Sequence, residues 1–342
     1  VADWAASWNP AGKGRIYRVF NPQPAALGAM QETENLLAAG MQNRSHAELI
    51  ALLAHADRRV RLDAQLELTT RGEEAERLLS ETARSGSDRM ARLHAIWALG
   101  ILGRQEPKRL ERLLPLLQDP DAEIRSQCAL VLGDAPLAAA SRSIIPLLRD
   151  PEPRVQMFAA IALGKLHDQE SIEPLLKLLR VNDNQDAYLR YAAVSGLAGI
   201  GDRDALLAHA EDPSPAVRLG ILLALRRMRD PAIARFLDDR DSRLVTEAAR
   251  AIYDTPIQGA EGQLADALDT YLQSDRANSP AMPADDALLR RLLAANYRGG
   301  SEQHAARILR LLKHDASPLS SRREAARMLA AWQEPSPLDR VV

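Results

Sequence analysis

Carboxylates and guanidinium groups recur in this chain at a fixed spacing. Asp119 stands six residues before Arg125, Asp150 six before Gln156 and Asp212 six before Arg218, and a proline follows each acid. An acid and an arginine brought together can form a two-pronged, charge-assisted hydrogen bond. Repeated along a chain, such pairs would make a ladder. Arg61, Arg92, Arg190 and Arg322 hold the same place in looser copies, while Leu244-Val245 keeps the frame without the arginine. The ladder so predicted comprises Asp57, Arg61, Arg92, Asp119, Arg125, Asp150, Arg190, Asp212 and Arg218. A row of exposed arginines binding an acidic ligand would be the functional alternative.

Other chemistry is scarce. The seven histidines (46, 55, 94, 167, 209, 304 and 314) form neither HExxH nor a paired His-Glu arrangement, which disfavours a di-metal hydroxylase. His94, within Arg92-Leu93-His94-Ala95-Ile96-Trp97, is expected to be a packed or capping residue, with a surface role as the alternative. The single cysteine, Cys128, excludes an internal disulfide and any cysteine cluster for a metal. It occupies the small-residue position that Ala64, Ala95 and Ala159 hold elsewhere, so a buried thiol is expected. No CxxCH is present to hold a c-type haem, and no GxGxxG, P-loop or GxSxG occurs. Gly12-Lys13-Gly14 reads as a turn. No catalytic, cofactor-binding or metal residue is assigned.

The recurrence also dictates the elements. Positions 61, 92, 125, 156, 190, 218 and 245 mark a period of about thirty residues, each followed by a helix rich in small residues. Such a period predicts stacked helix pairs, none able to bury its apolar face alone. Apolar residues make up 46% of the chain and aromatics only 4%, so the core must be Leu, Ala, Ile and Val. A net charge of −2 gives no bulk field to recruit nucleic acid or an anionic membrane. No apolar run reaches the length of a membrane span. The Pro after each turn acid is expected to start the second helix. Gly100, Gly103, Gly133, Gly164 and Gly201 are expected to end helices in the left-handed conformation.

Residues 1–21 lie outside the helical pattern and read as two short strands around the Asn9–Gly14 turn, the end of a sheet continued upstream. A stiff linker over 22–32 follows, then the solenoid over 33–257. Irregular helices with a long loop at 274–286 fill 258–335, and 336–342 form an extended exit. The expected fold is all-α, a solenoid of helix pairs preceded by a short β segment. The missing initial Met and the uncapped exit predict that sequence continues at both ends.

The two ends carry a resemblance. The run Asp3-Trp4, then Trp8-Asn9-Pro10-Ala11-Gly12-Lys13-Gly14-Arg15-Ile16-Tyr17-Arg18, resembles the closing propeller segment of PVC-type haem-binding dehydrogenases. His55-Ala56-Asp57, Ala295-Asn296-Tyr297-Arg298-Gly299-Gly300, Ala331-Trp332 and Pro335-Ser336-Pro337-Leu338-Asp339-Arg340-Val341 are similar too. In that family a dehydrogenase-like propeller precedes HEAT repeats, and a c-type cytochrome domain follows them. The resemblance implies an extracytoplasmic bacterial protein in which this chain is the connecting HEAT region, with no cofactor of its own. Its expected partners are proteins: the neighbouring propeller and cytochrome domains. Trp4, Trp8, Lys13, Arg15 and His94 are the candidate interaction residues. The alternatives are a contribution to the dehydrogenase's active cleft through Trp4, Trp8 or the 274–286 loop, and a free-standing protein-binding adaptor. A nucleic-acid- or bilin-handling HEAT protein would need a basic stripe or an inner catalytic acid, and neither is evident.

Overall fold

The computed structural model describes residues 2–3, 15–16, 24–137, 139–274 and 283–333, without the side chains of 2–3, 15–16, 24–26 and 283–285. It is an all-α solenoid of helix pairs, in which two compact units divide at Leu116/Leu117. The first carries a ladder of only two residues per strand, β1 (Ala2–Asp3) antiparallel to β2 (Arg15–Ile16), with Asp3 opposite Arg15. Helices α1 (Pro24–Ala39), α2 (His46–Leu52), α3 (Arg58–Leu68), α4 (Gly72–Ser85) and α5 (Arg89–Gly103) follow. Leu49, Leu53, Val60, Ala64, Leu79, Ile96 and Leu99 form its apolar core. The segment read as a linker over 22–32 is helical from Pro24, where a proline costs no hydrogen bond because a first-turn amide has no helical acceptor.

The division falls within a 3₁₀ segment, Pro107–Gln118, that carries Pro115 in its interior. The second unit contains α6 (Ala122–Gly133), α7 (Ala140–Ile144), α8 (Pro153–Lys165), α9 (Ile172–Asn182) and α10 (Ala187–Ile200). Then come α11 (Arg203–Ala208), α12 (Pro215–Met228), α13 (Ser242–Asp254), α14 (Glu261–Gln273), α15 (Pro283–Gly299), α16 (Glu302–Lys313) and α17 (Leu319–Ala330). Several first helices of the pairs are tighter 3₁₀ turns, Ile145–Arg149 and Pro231–Asp238 among them. Pro146 and Pro115 lack the amide that a continuous α-helix would use, so the backbone takes the shorter turn instead.

Second helices start on a side-chain cap. Asp57, Asp88, Asp121, Asp186 and Asp241 each accept a hydrogen bond from a first-turn amide, worth about 1 kcal/mol apiece. The prolines after the turn acids therefore do not begin the helices. Pro120, Pro151 and Pro213 precede the cap residues Asp121, Glu152 and Ser214, and the helices start one residue later still.

Of the five glycines expected at helix ends, only Gly201 is left-handed, with φ 75°. Gly133 and Gly164 are helical and allow close packing instead. A Cβ on Gly133 would lie 2.5 Å from that of Ala162, and one on Gly164 would lie 2.6 Å from the Gly196 Cα. The reverse face is equally tight, since a Cβ on Gly196 would meet the Ala160 carbonyl oxygen at 2.6 Å. Glycine lets α8 and α10 pack backbone against backbone.

Candidate interaction surface

Two arginines of the second unit, Arg125 and Arg218, make full rungs to a turn acid of the next pair. Arg125 Nε and Nη2 donate to both oxygens of Asp150, each at 2.8 Å, while Nη1 donates to the Asp119 carbonyl at 2.7 Å and the Pro120 carbonyl at 3.2 Å. Arg218 repeats the pattern: two bonds to Asp239 at 2.8 and 3.0 Å, and Nη1 to the carbonyls of Asp212 and Pro213 at 2.7 and 3.3 Å. Each arginine thus clamps the turn that starts its own helix and reaches the turn acid of the next pair. The acid in turn holds the amide two residues on, as Asp150 does with Glu152 and Asp239 with Asp241, both oriented for the clamp. Burial raises the Asp150 pKa, but Arg125 and the Glu152 amide outweigh it and hold the carboxyl below its usual value.

Elsewhere the rungs change. Gln156 keeps only the clamp, through Nε2 to the Asp150 carbonyl at 2.6 Å. Asp212 is met by Arg180 of α9 at 2.6 Å, not by an arginine of the preceding second helix. Arg190 donates to the Asn184 side chain at 3.4 Å, in a turn where Asp183 and Asn184 are both left-handed, with φ 40° and 61°. Arg92 clamps the Ala83 carbonyl at 2.9 Å. Asp57 is not a turn acid. It is the helix cap, two places further on, and pairs with Arg59 of its own helix at 2.7 Å. His55 fills the turn place in that copy: its Nδ1 accepts from the Asp57 amide at 3.0 Å, and its carbonyl accepts from Arg61 at 2.6 Å. Arg322 pairs with Asp315 at 3.0 Å.

Arg61 finds a neutral partner. Its Nε donates to His94 Nε2 at 3.0 Å, so the ring proton sits on Nδ1, which bonds to Gln65 Oε1 at 2.7 Å. The Trp97 ring meets the imidazole edge to face at 4.9 Å. Burial first, and then the Arg61 charge, push the His94 pKa down to about 4. His94 belongs to the core of the first unit and does not lie on a surface open to a partner. Cys128 is buried, as expected. Trp4, Trp8 and Lys13 lie outside the described residues, as do most of the 274–286 loop and the side chain of Arg15.

A different set of side chains reaches solvent. In the second unit the ridge of the second helices exposes Arg154 on α8, Tyr188 and Tyr191 on α10, and Arg227 on α12, with Phe158, Leu219 and Leu223 half-buried beside them. Tyr188 is 75% exposed and Tyr191 57%. The Arg154 guanidinium lies over Phe158, and that of Arg227 over Tyr191, each 4.9 Å from the ring centroid. Arg227 also bonds to Ser195 at 2.5 Å and draws the Tyr191 pKa down. Exposed tyrosine and arginine side chains are the types enriched in protein-binding hot spots. The described residues contain no cluster of three or more His, Cys, Asp or Glu able to hold a metal. No described helix is long and apolar enough to cross a membrane.

HEAT repeats match the sequence over residues 47–133, 110–198 and 181–253. The chain belongs to the HEAT-repeat family. Solved structures that match this chain include a chain of the CpcE–CpcF complex of phycocyanin lyase from Nostoc sp. PCC7120, 21% identical, with 75% of this chain and 94% of that one covered and a TM-score of 0.38. Another is the YibA protein of E. coli, 17% identical over 81% and 99% of the two chains, with a TM-score of 0.42. Human deoxyhypusine hydroxylase in complex with glycerol is 19% identical over 76% and 96%, with a TM-score of 0.30. No curated protein matches the sequence significantly.

Two kinds of residue escape a reading of the sequence. Asp239 lacks a following proline, and Val245 stands where an arginine would flag the copy, yet its spacing from Asp241 and Val245 matches that of Asp119 from Asp121 and Arg125. Tyr188 and Tyr191 carry no motif at all. Their exposure follows from which face of α10 packs on α8 and α12.

Proposed function

We propose that this chain is a protein-interaction scaffold that docks a protein partner on the second-helix ridge of its 117–342 unit. The finer reading rests on the resemblance of its ends: an extracytoplasmic spacer between a sugar- or alcohol-oxidising propeller and a c-type cytochrome domain. The observation that carries the interaction role is the exposure of Tyr188 and Tyr191, 75% and 57%, on a ridge with Phe158, Leu223 and two arginines. Large aromatic side chains left in water at this level mark interaction surfaces more often than chance placement. Large tyrosine rings also supply contact area at low entropic cost.

Site-specific photocrosslinking tests the first part. A benzoylphenylalanine at position 188 of the full gene product should capture a protein, or a neighbouring domain of the same polypeptide, whereas one at position 173 on α9 should not. Equal capture at both positions, or none at 188, rejects the ridge as the docking face. The coding sequence on either side tests the second part: a propeller before residue 1 and a CxxCH after residue 342 are expected, and their absence removes the spacer reading while leaving the scaffold.

A further inference from the structure

We infer that the groove between the 3₁₀ turn Ile145–Arg149 and α9 is a binding site for a small amphipathic carboxylate, one with an unbranched aliphatic tail. The groove lies where a rung is missing. Arg125 crosses from its own helix to the turn acid of the next pair, whereas Gln156 spends its amide on the Asp150 carbonyl at 2.6 Å, within its own pair. The gap toward α9 stays open as a cavity of about 480 Å³, which Gln156 lines. That volume falls in the range of small-molecule pockets. The other copy without an arginine behaves alike, since Val245 also lines a cavity, of about 330 Å³.

Two independent features of the groove at Gln156 say what it takes. The first is apolar surface left in water. The buried side chains of Leu148 and Leu178 line the groove, and Val181, which lines it too, is 74% exposed. An aliphatic side chain that open, beside a cavity, gains by being covered. The second is uncompensated positive charge. Arg149 and Lys177 line the same groove, both are exposed, and neither meets a described carboxylate. The acids around them are engaged elsewhere. Glu173, one turn before Lys177, accepts from His209 at 2.8 Å, Asp150 is held by Arg125, and Asp212 by Arg180. No described carboxylate lines the cavity. A cationic ligand would meet two like charges there, and a neutral one would leave both unanswered. A carboxylate drawn to Arg149 and Lys177, with its tail along Leu148, Leu178 and Val181, satisfies the charge and covers the apolar surface together.

The test titrates the whole chain by calorimetry with octanoate below its micelle concentration, and with butanoate, octanol and octylammonium at equal ionic strength. Octanoate should bind, and affinity should rise about two- to fourfold with each methylene from butanoate to octanoate, as each leaves water in a half-open groove. Octanol and octylammonium should bind on the order of tenfold more weakly. Arg149→Gln with Lys177→Gln should keep the parent's melting temperature, since both side chains are exposed, and bind octanoate no better than octanol. Val181→Asp, which sets a negative charge beside the tail, should lose on the order of tenfold for octanoate. Tyr188→Ser, on the ridge proposed for partner docking, should bind octanoate unchanged. The site is overturned if octanol or octylammonium binds as well as octanoate, or if the double variant and Val181→Asp bind octanoate as the parent does. A chain that pairs with a second copy in sedimentation and ignores octanoate overturns it equally.

Discussion

At the scale of single residues, the two rungs differ from an ordinary surface ion pair in burial. The side chains of Arg218 and Asp239 are 2% and 5% exposed, and those of Arg125 and Asp150 12% and 6%. Removing one partner of such a pair strands the other charge. Asp239→Ala should cost about 3 kcal/mol in urea melts, while Arg218→Met with Asp239→Leu should recover most of that loss. If the double variant is as unstable as the single, the pair stabilises through more than charge. Asp150 adds a pH dependence. Its pKa is depressed in the folded chain, so its contribution is fully present above the ordinary carboxylate pKa and is lost as pH falls from there through the lower folded value. His94 works higher on the scale, and with the same sign. Its pKa is about 4 in the folded chain against 6.5 for a free imidazole, so the unfolded chain binds the extra proton. The stability due to neutral His94 is complete above about pH 6.5 and lost on acidification toward pH 4, a change on the order of 3 kcal/mol. Urea titrations followed through Trp97, with Trp4, Trp8 and Trp332 changed to Phe, should show this slope, and His94→Gln should abolish it.

At the scale of elements, the glycines decide how closely helices approach. A Cβ at Gly164 would strike backbone, 2.6 Å from the Gly196 Cα and 2.8 Å from its carbonyl oxygen. One at Gly220 meets the end of a leucine side chain, Leu179 Cδ1, at 2.3 Å, and leucine can turn away. Alanine gains about 1 kcal/mol of helix propensity over glycine at either position. Gly164→Ala should nonetheless destabilise the second unit by about 2 kcal/mol or more, and Gly220→Ala by clearly less, in the same denaturant assay. Comparable losses at both positions would mean that the α8–α10 approach is not limited by backbone contact. The helix-pair period was legible from spacing alone, because each unit must bury the same face. Helix geometry was less so: Pro115 and Pro146 signal interruption, but the choice of 3₁₀ over a broken α-helix depends on packing at those turns. Gly133 and Gly164 look like terminators in a linear string, and only the neighbouring helix shows that they are contacts.

At the scale of the molecule, stability and recognition separate. Tyr188 and Tyr191 are exposed, so Tyr188→Ser with Tyr191→Ser should leave the melting temperature within about a degree or two, the small change expected of surface substitutions. The same variant should lose capture of a partner. A large drop in melting temperature would recast the two rings as structural. Of the residues expected to interact, His94 lies in the core, and none of the others has a described side chain; the ridge tyrosines face water because tertiary packing turns α10 that way.

The sequence by itself determined the all-α class and the thirty-residue unit, because each is a local consequence of spacing and side-chain chemistry. Tertiary structure alone decided which carboxylate each guanidinium reaches, why His94 stays neutral, and which side chains of a second helix face solvent. Those outcomes depend on the distance and rotation between neighbouring helices, and no residue encodes either without its partner in place.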